Sequence, residues 1–130
     1  MNLGLQNKIA IVAAASQGLG RAAARQLALE GATVVICSRR EEAITQAARE
    51  LREESGSVVL PVKADVTKPQ DISHLVSEAE QRFGTVHILV NNAGGPPAGD
   101  LLSLTDEDWL RGHDLTLMSV VRLTRAVLPL

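Results

Sequence analysis

Two hydrophobic rhythms alternate along the chain. Lys8–Ala13 (KIAIVA), Thr33–Cys37 (TVVIC), Val58–Val62 and Val86–Val90 are short apolar runs rich in β-branched residues. Each predicts a strand, and near-continuous rather than alternating apolar character predicts burial on both faces. Between these runs the apolar residues recur at helical spacing. Arg21–Glu30 is built from Ala, Leu and Arg, which are good helix formers, and Gly31 suits a left-handed C-cap. Glu41–Glu54 sets Ile44, Ala47, Ala48 and Leu51 on one face and closes at Ser55-Gly56. Pro69 fits the first turn of a third helix, where its missing N–H is not needed. Ile72, Leu75, Val76, Ala79 and Phe83 form that helix's inward face, and Gly84 stops it. A long fourth helix is predicted from Thr105 to about Leu128, with Asp106, Glu107 and Asp108 at the positive end of its dipole. Leu115, Leu117, Met118, Val120, Val121 and Leu123 girdle it, which predicts burial on more than one side.

Strand and helix thus alternate four times, with connections long enough for right-handed crossovers. The predicted class is α/β, a doubly wound parallel sheet forming one domain over residues 1–130. Composition narrows what such a domain does. The hydrophobic fraction of 45% and charged fraction of 22% are those of a soluble globular protein. A formal net charge of -2 gives no electrostatic reason to expect a nucleic acid or an anionic membrane as partner. A single cysteine, Cys37, excludes an internal disulfide, and a reducing, cytoplasmic setting is expected. The first residues do not form a basic start with an apolar core, so no secretory signal is expected. There is no tyrosine and aromatics total 2%, so Val, Leu, Ile and Ala must build the core.

The candidate chemistry lies in the turn after the first strand, Ala14-Ala15-Ser16-Gln17-Gly18-Leu19-Gly20. A strand, a glycine-bearing turn and a helix N-terminus make an anion site, because free backbone N–H groups and the helix dipole point at one place. Gly18 and Gly20 let the backbone approach a pyrophosphate and let the helix pack closely on the sheet. The second strand ends Cys37-Ser38-Arg39-Arg40, without the carboxylate that receives ribose hydroxyls in NAD sites. A small hydroxyl and two guanidinium groups favour NADP over NAD, since Arg pairs with phosphate through a planar fork. The bland alternative is a solvated helix start in which these arginines pair with Glu41 and Glu42.

Three segments together carry a family resemblance. Ala13-Ala14-Ala15-Ser16-Gln17-Gly18-Leu19-Gly20 resembles the glycine-rich turn of short-chain dehydrogenases/reductases, with Ala14 where that family has its first glycine. Asn91-Asn92-Ala93-Gly94 is similar to its second signature, and Asp65-Val66 to a third. The resemblance covers essentially the whole chain and implies the N-terminal half of a Rossmann-type sheet, in strand order 3-2-1-4. It implies that Asp65 and Val66 flank the adenine, and that Asn92, Ala93 and Gly94 line the ribose and nicotinamide. It implies hydride transfer between nicotinamide and a small-molecule carbonyl or alcohol, closest in kind to 3-oxoacyl-acyl-carrier-protein reductases.

The resemblance also implies a homo-oligomer through the helix over 105–128. The family's catalytic asparagine falls on Thr116 here, and no asparagine follows Asn92. The family's catalytic Tyr and Lys have no counterpart, because the last lysine is Lys68. The chain is therefore expected to stop before the catalytic segment and to be inactive alone. The rival of another class is a non-catalytic NADP-binding or interaction module. A Rossmann-type methyltransferase is disfavoured by the joint Asn-Asn-Ala-Gly and Asp-Val signatures.

Other residues are not promoted to function. His74, His87 and His113 have no metal-ligand spacing among themselves or with Cys37. His74 is expected to be exposed, His87 to start a strand and His113 to pack. Cys37 is expected to be an inert buried hydrophobe and Trp109 a packing anchor.

Overall fold

The computed structural model describes residues 1–130. Its four strands are β1 (Ile9–Val12), β2 (Thr33–Ser38), β3 (Val59–Lys63) and β4 (Ile88–Val90). All pair in parallel, in the order β3-β2-β1-β4. In register, Ile11 lies between Val35 and Leu89, and Val35 is followed by Leu60. The chain winds outward from β1 to β3 and then returns to the other side of β1. That reversal opens a crevice at the carboxyl ends of β1 and β4, where doubly wound sheets take their ligands.

The runs of β1 and β2 are buried on both faces, as their continuity predicts, whereas β3 is partly buried and β4, at the other side of the sheet, is only half-buried. Val12, Val34, Ile36 and Val59 face α1 (Gly18–Leu29) and α2 (Glu41–Ser55), and meet Ala24, Ala28, Ile44, Ala48 and Leu51. Ile11, Val35, Cys37 and Val62 face the opposite layer, made of α3 (Pro69–Phe83) and α5 (Ser119–Val127). Ile72, Leu75, Val76 and Leu123 close that side. Removing a side chain such as Leu75 from water contributes roughly 2 kcal/mol. No helix is long and apolar enough to cross a membrane.

The long helix expected over 105–128 is interrupted. It divides into α4 (Asp106–His113), a π-helical turn over Asp114–Met118, and α5. The Thr116 hydroxyl donates to Gly112 O at 2.6 Å, and Ser119 Oγ donates to Leu115 O at 2.6 Å. Such back-bonds from Ser and Thr satisfy carbonyls that a widened turn frees, and they bend helices. The girdle is also one-sided: Leu123 is buried, whereas Leu117 is 50% and Val120 and Val121 are 39% exposed. Trp109, expected to anchor packing, is 57% exposed, and His113, expected to pack, is also exposed. Helix α1 starts at Gly18, before the expected Arg21, so both glycines of the turn belong to its first turn. Strand β4 is shorter than Val86–Val90 because His87 leaves the regular ladder. Its N–H donates to Ile9 O at 2.8 Å while its Nδ1 accepts the Ile9 N–H at 3.0 Å.

The two edges of the sheet differ. Val58 O accepts from Val34 N–H, and Ala64 N–H donates to Ser38 O, so even-numbered β3 residues face β2. Val59, Pro61 and Lys63 therefore face outward. Pro61 has no N–H to offer, and Val59 O is taken by Arg52 Nη1 at 3.0 Å. On the opposite side β4 pairs only with β1.

Candidate functional site

The turn that leaves β1 is stitched to both neighbouring strands. Ala13 N–H donates to Val90 O at 3.2 Å, and Ala15 N–H donates to Cys37 O at 2.9 Å. Ala14 between them lies at φ 49°, in the left-handed region, and Gly18 at φ 62°. Gly20 is buried, and its lack of a side chain is required here. A Cβ on it would overlap Ala14 O and lie 2.7 Å from Asn92 Nδ2. Asn92, at the end of β4, donates from Nδ2 to Ala14 O at 3.1 Å and to Ala13 O at 3.3 Å. The glycine turn and the Asn-Asn-Ala-Gly segment, 78 residues apart, thus form one assembly.

Beyond the turn, α1 begins without a cap. Gln17 makes no side-chain cap bond, and no acidic residue occupies the first turn. The N–H groups of Gly18, Leu19 and Gly20 have no protein acceptor. Gln17 and Leu19 are exposed, and Ser16 is half-buried. At the end of β2, Ser38 Oγ donates to Arg40 O at 3.1 Å. Arg39 and Arg40 are exposed, and neither joins Glu41 or Glu42 in an ion pair. Unpaired N–H donors at a helix start, with free guanidinium groups on the next strand end, fit a phosphate-bearing anion.

Asp65 sits at the third strand end. Its Oδ1 accepts from Thr67 N–H at 2.9 Å and from Thr67 Oγ1 at 2.7 Å, while its own N–H donates to Asp71 Oδ2 at 2.8 Å. Partial burial pushes its carboxyl up, but the Thr67 bonds and the charges of Lys68 and Arg39 outweigh this and hold it below the usual range. Val66 is in the core at 6% exposure, so its side chain is committed to packing. Ala93 packs partly on the same core, and a Cβ on Gly94 would meet open space. Cys37 is buried, and desolvation raises its thiol to about 11, against a small opposing hydrogen bond from the Ala14 backbone. The thiol is therefore unreactive at neutral pH.

Thr116 stands apart from this assembly. It lines a groove of about 410 Å³ with Pro96, Pro97, Trp109, Gly112 and His113. Its hydroxyl is engaged with Gly112 O. His74 is exposed, as expected. Two further residues tie the region together: Asn91, which opens the Asn-Asn-Ala-Gly segment but has no role assigned from the sequence, and Arg122, which carries no sequence signal. Asn91 Nδ2 donates to Thr124 Oγ1 at 3.2 Å, fixing β4 to α5. Arg122 Nη1 reaches Thr67 O at 3.3 Å and Asp114 Oδ1 at 3.4 Å, joining the Asp65 loop to the π turn.

Known proteins share this arrangement. The family model for short chain dehydrogenases matches residues 8–130. Dehydrogenase/reductase SDR family member 4 from Oryctolagus cuniculus is 40% identical over 126 residues, covering 96% of this chain and 48% of that protein. The crystal structure of L-sorbose reductase from Gluconobacter frateurii, complexed with NADPH and L-sorbose, superposes with a TM-score of 0.95. It is 36% identical and covers 99% of this chain and 49% of that one. Actinorhodin polyketide ketoreductase with NADPH gives a TM-score of 0.89 at 38% identity, over 94% of this chain and 46% of that one. The chain thus spans about half the length of the relatives it matches. With the strand order, the glycine turn and the Asn-Asn-Ala-Gly segment in place, the chain belongs to the short-chain dehydrogenase/reductase family.

Proposed function

We propose that the protein serves an NADP-dependent oxidoreductase acting on a small-molecule carbonyl or alcohol, of the 3-oxoacyl reductase kind. The observation that carries this reading is the uncapped start of α1 beside Ser38-Arg39-Arg40, where no carboxylate stands. In this reading Ala14, Ser16, Gln17, Gly18, Leu19 and Gly20 form the pyrophosphate cradle. Ser38, Arg39 and Arg40 receive the 2′-phosphate. Asp65 and the backbone of Val66 flank the adenine. Asn92, Ala93 and Gly94 border the ribose and nicotinamide. The bound cofactor supplies or accepts the hydride; the residues here bind and orient it.

A second reading is favoured by the state of Thr116. Its hydroxyl is engaged by Gly112 O, and the chain has no tyrosine to protonate an alkoxide. This chain is then a dinucleotide-binding unit without turnover of its own. Calorimetric titration with NADPH and NADH tests the cofactor, and an NADPH-consumption assay with carbonyl substrates tests turnover. NADPH is expected to bind more tightly than NADH. Ser38→Asp with Arg39→Gln is expected to reverse the preference by about tenfold or more. Tighter NADH binding by the unaltered chain overturns the NADP assignment, and turnover by this chain overturns the second reading.

A further inference from the structure

We propose that Asn92 is a positioning residue for the dinucleotide turn, acting through the left-handed backbone of Ala14. The ligand side of this inference rests on the dinucleotide reading above. The strain at Ala14 is explicit. For an L-residue with a Cβ, φ 49° is disfavoured by about tenfold in population, whereas glycine adopts it almost freely. Such a conformation persists only where its surroundings over-determine it.

The surroundings here are few, and the Cys37 thiol beside the Ala14 backbone is one of them. The flanking bonds, Ala13 N–H to Val90 O and Ala15 N–H to Cys37 O, hold the residues on either side. The carbonyl of Ala14 itself has one hydrogen-bond partner, Asn92 Nδ2 at 3.1 Å. On its other side Gly20 approaches so closely that no Cβ fits. The Ala14 carbonyl is thus held between an amide from the end of β4 and the first turn of α1. Turning about the Ala14 N–Cα bond toward a relaxed φ swings that carbonyl oxygen away from Asn92. It also redirects the path through Ala15 and Ser16 that aims the free N–H groups of Gly18, Leu19 and Gly20. Asn92 blocks this relaxation from the opposite half of the crevice. With glycine at position 14 there is little strain to resist, so the dependence on Asn92 falls.

A double-mutant cycle on the full chain tests this, with NADPH affinity and thermal midpoint as separate readouts. In the Ala14 chain, Asn92→Ala is expected to weaken NADPH binding about tenfold, the factor by which the left-handed state is disfavoured. Asn92→Asp should do the same, because a carboxylate cannot donate to Ala14 O. In the Ala14→Gly background the same Asn92→Ala change is expected to cost about threefold or less, since glycine removes most of the strain.

Equal weakening in both backgrounds overturns the proposal, as does unimpaired binding by Asn92→Ala. A cycle that couples in thermal midpoint but not in affinity makes Asn92 merely structural and also overturns it. Should Asn92→Ala not fold with Ala14, recovery of both folding and NADPH binding with Ala14→Gly supports the proposal, and failure to recover either overturns it. A wild-type chain that does not bind NADPH refutes the dinucleotide reading. The thermal cycle still decides whether Asn92 supports Ala14.

Discussion

Ala14 and Asn92 mark how far the sequence speaks at single positions. The chain presents an alanine where the family has glycine, and an asparagine in a recognisable tetrapeptide. Their contact does not follow from either motif alone, because a bond across 78 residues is made by the sheet order. The free state of Arg39 and Arg40 is one of two readings open in the sequence, since adjacent Glu41 and Glu42 offer partners. Asp65 yields a pH prediction. Its carboxyl is held below its ordinary value by Thr67, Lys68 and Arg39 against the push of partial burial. A depressed carboxylate contributes stability that is present above its unfolded pKa and lost as pH falls through the folded one. Thr67→Val removes the hydroxyl bond and brings the folded value closer to the unfolded one. Denaturant unfolding between about pH 2 and pH 6, the range spanning an Asp titration, should show a shallower acid loss in Thr67→Val than in the wild type. An identical acid limb contradicts the assigned cause.

At the scale of elements, strands and the first three helices are legible because apolar continuity and helical spacing report burial directly. The break after His113 is not. The periodicities of an α turn and a single π turn differ too little over five residues to register. The break coincides with the hydroxyls of Thr116 and Ser119, which donate to the carbonyls four residues back, and Ser119 at 2% exposure is the one polar residue among the buried set. The start of α4 is better signalled. Thr105 Oγ1 accepts from Asp108 N–H at 3.2 Å, and Asp108 Oδ2 accepts from Thr105 N–H at 2.9 Å. This reciprocal cap fixes the helix that follows the Gly/Pro-rich segment 95–99, and therefore the wall of the groove that holds Thr116. Thr105→Ala is expected to cost about 1 kcal/mol, as loss of an N-cap does. Chemical denaturation measures it, with a loss of helical circular dichroism at equal temperature. An unchanged midpoint contradicts a stabilising cap.

For the whole molecule, alternation of strand and helix dictates the class, and the resemblance supplies the order β3-β2-β1-β4. Neither reveals which surfaces stay open. Trp109 and Leu110 of α4, Leu117 of the π turn, and Val120 and Val121 of α5 are all exposed apolar residues on one segment. Clustered exposure of this kind is unusual for a monomer. We expect the chain to associate through this segment, with a mass in solution above its 13.8 kDa. Light scattering measures it, and a monodisperse single-chain species with cooperative thermal unfolding contradicts the expectation.

Pro61 bears on what the β3 side of the sheet can recruit. An outer strand that withholds a donor at Pro61, and whose Val59 carbonyl is already taken by Arg52, offers a neighbouring strand little to pair with. Pro61→Val restores the missing donor and opens that side to a strand from a second molecule. Light scattering of Pro61→Val should accordingly exceed that of the unaltered protein and rise with concentration. Equal scattering from the two at every concentration would show that the proline is not what closes this side.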